Sequence, residues 1–149
     1  MSSSLQIRPL LPADEPEWRR LWTAYLRFYE TTLPEAVYAS TWERLFSDGI
    51  YEPKGLIAEL DGRPVGLVHY MFHRTCWAVG DNCYLQDLYA DPEVRGKGIG
   101  RALIEAVYEK ADQAGAANVY WSTQHFNETA RKLYDRIGRL TPFIKYQRS

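Results

Sequence analysis

Three glycines alternate in Arg95-Gly96-Lys97-Gly98-Ile99-Gly100, and a helical pattern starts directly behind them. Nothing else in the chain narrows its possible folds as much. Small residues let backbone N–H groups converge, and the end of the following helix adds about half a positive charge. Arg95, Lys97 and Arg101 supplement it with side-chain charge. The segment reads as a cradle for an anion such as pyrophosphate; taken alone, it also fits a glycine-built surface turn. Two other phosphate loops match poorly. A Walker loop ends in Gly-Lys-Ser/Thr, whereas Gly100 is followed by Arg101-Ala102. The dinucleotide fingerprint needs a third glycine where Arg101 stands and a strand immediately before the loop, yet residues 91–94 intervene.

Around this loop the hydrophobic pattern changes period several times. Leu5 to Leu10 alternates like a short strand, and Pro12-Ala13 breaks it. Asp14 with Glu17 forms a capping-box pattern ahead of Trp18, Leu21, Trp22, Tyr25, Leu26, Phe28 and Tyr29, which recur at helical spacing. That helix is expected to end near Thr31-Thr32. A second helix is expected over Glu35 to Phe46, with Val37, Tyr38, Trp42, Leu45 and Phe46 inward. Gly55–Leu60, a tight Asp61-Gly62 turn, Pro64–Phe72 and Cys83–Ala90 then read as an antiparallel meander. After the loop come a helix from Arg101 to Ala114 closed by Gly115, a strand over Asn118–Thr123, a helix from Asn127 to Gly138, and a last strand over Pro142–Tyr146. With no repeat, linker or low-complexity tract, the 149 residues are expected to form one α+β domain, a mixed but mostly antiparallel sheet flanked by helices.

Composition removes several function classes. A net charge of −1 provides no global field for nucleic acid or an anionic membrane. Cys76 and Cys83 have no metal-ligand spacing with each other or with His69, His73 and His125, so no metal is expected and both thiols are read as reduced. Met1-Ser2-Ser3-Ser4 lacks the basic and apolar segments of a signal peptide, and no apolar run approaches the roughly 20 residues of a membrane span. The expectation is a soluble, cytoplasmic protein.

From Leu85 to Gly138 the chain resembles the GNAT superfamily of N-acetyltransferases. The family places Arg/Gln-x-x-Gly-x-Gly/Ala between a strand and a helix, and Arg95, Gly98 and Gly100 occupy those places. A second element, an Asn seven residues before a Tyr, is reproduced by Asn127 and Tyr134. Tyr84-Leu85-Gln86-Asp87-Leu88-Tyr89 and Val119-Tyr120-Trp121 are similar to small fungal acetyltransferases acting on histones, polyamines and D-amino acids. Tyr29-Glu30 and Tyr84-Leu85-x-Asp87 also resemble the diamine acetyltransferases, which carry glutamate where this chain has Gln86.

The resemblance implies direct transfer from acetyl-CoA to a primary amine in a ternary complex, without an acyl-enzyme. Residues 95–101 would hold the pyrophosphate, while Leu88, Tyr89, Ala90 and Asn127 would pair with the pantetheine arm. Tyr134 would be the general acid toward the CoA sulfur. Asp87 would receive the proton of the amine, with Glu30 the other carboxylate placed near it. Tyr29, Trp77 and Tyr84 would line the acceptor pocket, where aromatic faces favour a cation. A homodimer is also expected, through the apolar residues of the last strand. An acyl-CoA-binding sensor without catalysis would keep the loop but would not need Tyr134.

Overall fold

The computed structural model describes residues 4–149; the first three residues, part of the start examined for a signal peptide, lie outside it. Its elements run β1 (Leu5–Pro9), α1 (Glu15–Phe28), α2 (Glu35–Leu45), β2 (Lys54–Leu60), β3 (Arg63–His73), β4 (Asn82–Ala90), α3 (Ile99–Gln113), β5 (Asn118–Tyr120) and α4 (Glu128–Ile137). The strands form one sheet in the order β1-β2-β3-β4-β5. The first four are antiparallel neighbours, and β5 joins β4 in parallel. This is the expected α+β architecture.

Local chemistry explains the tight joints. Asp61 and Gly62 both have positive φ, as a two-residue hairpin turn of the I′ kind demands. Gly115, at φ +71°, closes the end of α3. Asp14 does not cap α1 as its sequence pattern predicts. Its carboxylate accepts both arms of the Arg8 guanidinium, at 2.8 and 2.9 Å, and the Leu11 N–H at 2.7 Å. Arg8 also donates to Glu59, so one guanidinium ties β1, the turn before α1 and β2 together. This pairing holds the Asp14 carboxyl below its ordinary pKa, because Arg8 favours the charged form.

Two apolar clusters cover the two faces of the sheet. On one face Leu56, Val68, Tyr70, Phe72, Cys83 and Leu85 meet Ile99, Leu103, Ile104, Val107 and Ala111 of α3. On the other, Ile57 and Leu67 meet Trp18, Leu21, Trp22 and Leu26 of α1. Trp42 from α2 lies against Trp18, with ring centroids 4.9 Å apart.

Four further sequence expectations need correction. Residues 121–123 do not extend β5, which ends at Tyr120. Pro142 to Tyr146 is no strand, and Phe143, Ile144 and Tyr146 are exposed because no neighbouring edge is offered to them. Phe46 is likewise exposed, since α2 ends one residue before it. Ala114 is exposed because α3 stops at Gln113.

Gly66 allows α3 to pack closely on the sheet. A Cβ there would lie 2.8 Å from the Tyr89 carbonyl oxygen, 3.0 Å from Ile99 and 3.2 Å from Leu103. At Gly100 a Cβ would make only an ordinary 3.5 Å contact with Leu133. Gly66→Ala is therefore expected to destabilise by roughly 1–3 kcal/mol through overpacking, while Gly100→Ala leaves the thermal midpoint close to wild type. Equal midpoints for the two variants would refute this account of the α3–sheet packing.

Candidate active site

β4 is paired with β3 along its whole length but with β5 only from Asn82 to Tyr84. Past that point the sheet splits. The edge of β4 from Leu85 to Ala90 that turned toward β5 has no strand beside it, and the backbone groups of alternate residues there are available to an extended ligand, while those of Tyr89 turn to Leu67 of β3. Leu88, Tyr89 and Ala90 all lie on this stretch and are half-buried.

The glycine loop sits at the end of the same strand. Asp91 accepts from the Glu93 N–H and starts a short turn over Pro92–Val94, which delivers the chain to Arg95. Gly96 and Gly98 both adopt the left-handed conformation, with φ +80° and +75° and open space where a Cβ would stand. Conformation, not crowding, calls for glycine at these two positions. The first α-helical bond of α3 runs from the Ala102 N–H to the Gly98 carbonyl. The N–H groups of Ile99, Gly100 and Arg101 belong to the first turn and are free to face an anion. Ile99 is buried and anchors the loop, while Arg95, Gly96, Lys97 and Gly98 are exposed. Arg101 donates to Glu105 at 2.6 Å, which turns its charge along the helix.

Across the split stands α4. Asn127 caps it, its Oδ1 accepting from the Ala130 N–H at 3.3 Å, which leaves its amide nitrogen free. Arg131 donates to the His125 carbonyl. Tyr134 packs with Leu133 and Ile137 against the α3-side cluster and sets its ring 5.5 Å from Trp121. Burial raises the Tyr134 phenol to about 12, and the nearby Tyr29 phenol pushes in the same direction. Tyr134 belongs to the layer on the α3 face of the sheet, and Tyr29 stands at the end of α1.

On the α1 side the structure brings Asp87 together with three phenols. Tyr25, Tyr29 and Tyr84 are all raised in pKa, first by burial and then by the Asp87 carboxylate. Tyr25 and Tyr29 touch edge to face, and Tyr84 stacks on Tyr120. Asp87 reaches this face because of an irregularity in the ladder. Tyr70 pairs with Leu85 and His69 with Asp87, which leaves Gln86 as an extra residue. That bulge resets the alternation of side chains, so Leu85 faces α3 while Asp87 faces α1.

Periodicity in the sequence does not disclose the partner of Asp87. The buried His69 sets Nδ1 3.0 Å from Asp87 Oδ2, and Trp18 donates its indole N–H to His69 Nε2 at 3.0 Å. The visible signal was a lone histidine inside an otherwise apolar strand, which on its own reads as core. Glu30 is exposed at φ +54°, just past the end of α1. Trp77 does not join the cluster. It is exposed, and with Thr75, Asn82, Asn118 and Phe143 it lines a depression at the other end of β4. Among the described residues no group of three or more His, Cys, Asp or Glu side chains is placed to hold a metal, and no helix is long and apolar enough to cross a membrane.

Comparison with known proteins agrees with this geometry. The model of the Acetyltransferase (GNAT) family matches residues 16–138. A D-amino-acid N-acetyltransferase of Saccharomyces cerevisiae is 36% identical over 151 residues, covering 100% of this chain and 93% of the yeast protein. A thialysine N-epsilon-acetyltransferase of Bos taurus is 35% identical, covering 64% of this chain and 62% of its own. Among solved structures, a ribosomal-protein-alanine N-acetyltransferase from Brucella melitensis superposes with a TM-score of 0.77 at 26% identity, covering 98% of this chain and 99% of that one. An aminoglycoside N-acetyltransferase in complex with CoA shares the fold at TM-score 0.82 and 20% identity, covering 100% of this chain and 97% of its own. The chain belongs to the GNAT acetyltransferase family and is an N-acetyltransferase.

Proposed function

We propose that the whole chain acts as one acetyl-CoA-dependent enzyme that acetylates a small cationic primary amine, with the donor and the acceptor entering the split sheet from opposite faces. The observation that carries this reading is the stretch of β4 left unpaired beyond Tyr84, with the glycine loop at its end, Tyr134 in the layer on the α3 side and Asp87 on the α1 side. Acetyl-CoA supplies an acetyl group activated as a thioester. The N–H groups of Gly96 to Arg101 would hold its pyrophosphate, supplemented by Arg95 and Lys97. The open edge at Leu88 and Ala90, with the free amide of Asn127, would hold the pantetheine arm.

The proton steps fall to side chains. A lysine-like amine has a pKa of about 10.4 and arrives charged at neutral pH. Asp87 attracts the ammonium and takes one of its protons, directly or through water, which frees the nitrogen lone pair to attack. Tyr29 and Tyr84 wall the pocket, and Glu30 stands at its mouth as a second attractor. Tyr134 delivers a proton to the sulfur as the C–S bond breaks, and the second proton that the nitrogen sheds as the amide forms restores the phenol, directly or through water. Its raised pKa keeps the phenol protonated across the working range, and the burial that raises it equally disfavours an unprotonated thiolate. The names of the relatives, which include D-amino acids and thialysine, put amino-bearing small molecules first among acceptors. A cytoplasmic location and freedom from nucleic acid and membrane belong to the same reading. So does a homodimer, supported by exposed Leu140, Phe143, Ile144 and Tyr146 on the final segment.

Three outcomes are expected. In a panel of amines with acetyl-CoA, thiol release requires both substrates, and Tyr134→Phe lowers kcat by about 10²- to 10⁴-fold with acetyl-CoA affinity retained. Unaltered turnover in Tyr134→Phe removes the residue from catalysis, and amine-independent binding alone would make the chain a sensor. Gly98→Ala forces a Cβ into the left-handed region at a cost of roughly 1–2 kcal/mol, so calorimetry should show CoA binding about tenfold weaker with little change in amine KM. Light scattering should give twice the chain mass, and a chain ending at Arg139 should give the monomer; a wild-type monomer disproves the dimer.

A further inference from the structure

Trp18, His69 and Asp87 form a buried hydrogen-bonded line from the first turn of α1, through β3, to the α1 face of β4. We infer that His69 is a positioning residue for the reaction, held as the neutral Nδ1–H tautomer by Trp18 so that it fixes one oxygen of Asp87 and leaves the other for the amine. The inference rests on the reading of Asp87 as the amine-facing carboxylate.

The tautomer follows from the donor inventory. An indole N–H can only donate, so Nε2 of His69, 3.0 Å away, must accept. A neutral imidazole then carries its proton on Nδ1, where Asp87 Oδ2 receives it at 3.0 Å. Protonating Nε2 would set N–H against N–H, and Trp18 has no room to withdraw. It is fully buried, with Trp42 at 4.9 Å, Trp22 stacked at 6.4 Å and Tyr38 at its edge. Trp22 also meets the His69 ring at 4.9 Å and fixes its plane. The imidazole therefore cannot serve as a proton carrier while this line is intact. Its contribution is a directed donor.

That donor matters because the other hydrogen-bond partner of Asp87, the Tyr25 phenol, stands on the acceptor side. The remaining neighbours of Asp87 are phenols on the acceptor side, which an incoming amine would displace or share. His69 and Asp87 are directly opposed in the antiparallel register, and the extra residue Gln86 puts both on the α1 face. A carboxylate fixed at one oxygen presents the other in a single orientation, which lowers the entropy lost on meeting the amine.

A pair of substitutions separates this role from simple filling. His69→Asn places its amide nitrogen near the lost Nδ1 and keeps a donor for Asp87, but gives up the acceptor for Trp18. His69→Gln places its amide near the lost Nε2 and keeps the Trp18 bond, but deprives Asp87. Asn is a methylene shorter than Gln and leaves the larger void, so its thermal midpoint should fall further, while acetyl-CoA Kd should hold in each. Amine kcat/KM should drop about ten- to hundredfold in His69→Gln, and His69→Asn should recover most of it. Equal losses, or a better Gln variant, overturn the inference. A second arm needs no turnover. Nitrogen NMR of the wild-type ring should show neutral Nδ1–H imidazole at pH 7, and Trp18→Phe should admit the Nε2–H tautomer. A wild-type ring that is charged or Nε2–H refutes the inference even if no amine in the panel is accepted. The expected ring state in a protein that accepts no amine would instead count against the proposed reaction alone.

Discussion

Everything at the site depends on β4 being paired fully on one side and for only three residues on the other. Continuous pairing with β3 holds the strand rigid. The short parallel contact with β5 fixes where the sheet begins to part and leaves an unpaired edge inside the fold. Such an edge is normally a liability, because backbone groups without partners favour association with other chains. Here the Gly96–Gly98 loop follows the open stretch of β4 directly, and α4 packs its Leu133 and Tyr134 onto the α3-side cluster. A slot lined by main-chain donors and acceptors suits an extended pantetheine-like arm better than a compact ligand.

The gap also keeps two different environments within reach of each other. Tyr134 belongs to the apolar layer between α3 and the sheet, where burial alone accounts for most of its raised pKa. Asp87 belongs to the α1 layer and faces phenols on one side and His69 on the other. The proposed proton donor and proton acceptor thus lie in different layers of the fold. Their difference comes from surroundings, as paired acid and base groups in one site require. The Asp87 carboxylate acts on the Tyr25, Tyr29 and Tyr84 phenols in the same direction as burial does, raising all three.

The glycine loop and the start of α4 were legible in the sequence because backbone conformation dictates composition. Gly96 and Gly98 need positive φ, Asn127 needs to cap a helix, and both requirements leave marks at fixed spacing. The meander was readable for a similar reason, since Asp61-Gly62 and period-two alternation have few other solutions. The acceptor half left weaker marks. A bulge adds one residue without any signature of its own, so neither the inward turn of Asp87 nor its pairing with His69 was visible. Trp77 carried aromatic character into a loop that the fold points elsewhere. The apolar residues 142–146 imitate a strand, and only the missing neighbour shows that pattern alone does not make one.

This asymmetry has a physical basis. Main-chain recognition of a phosphate and an amide-bearing arm tolerates little change in backbone and almost any change in neighbouring side chains. The acceptor side is instead made of side chains on α1 and on the α1 face of β3 and β4, where one substitution alters charge or shape without moving the sheet. Tyr25, Tyr29 and Tyr84 can be exchanged at the pocket wall while Trp18 and Leu21 continue to hold the helix in place. His69 and Trp18 differ from those wall residues, because their hydrogen bonds are buried and each satisfies a polar group that would otherwise be stranded. Selectivity for an amine can therefore drift at the wall, while the orientation of Asp87 is tied to the packing of α1 itself.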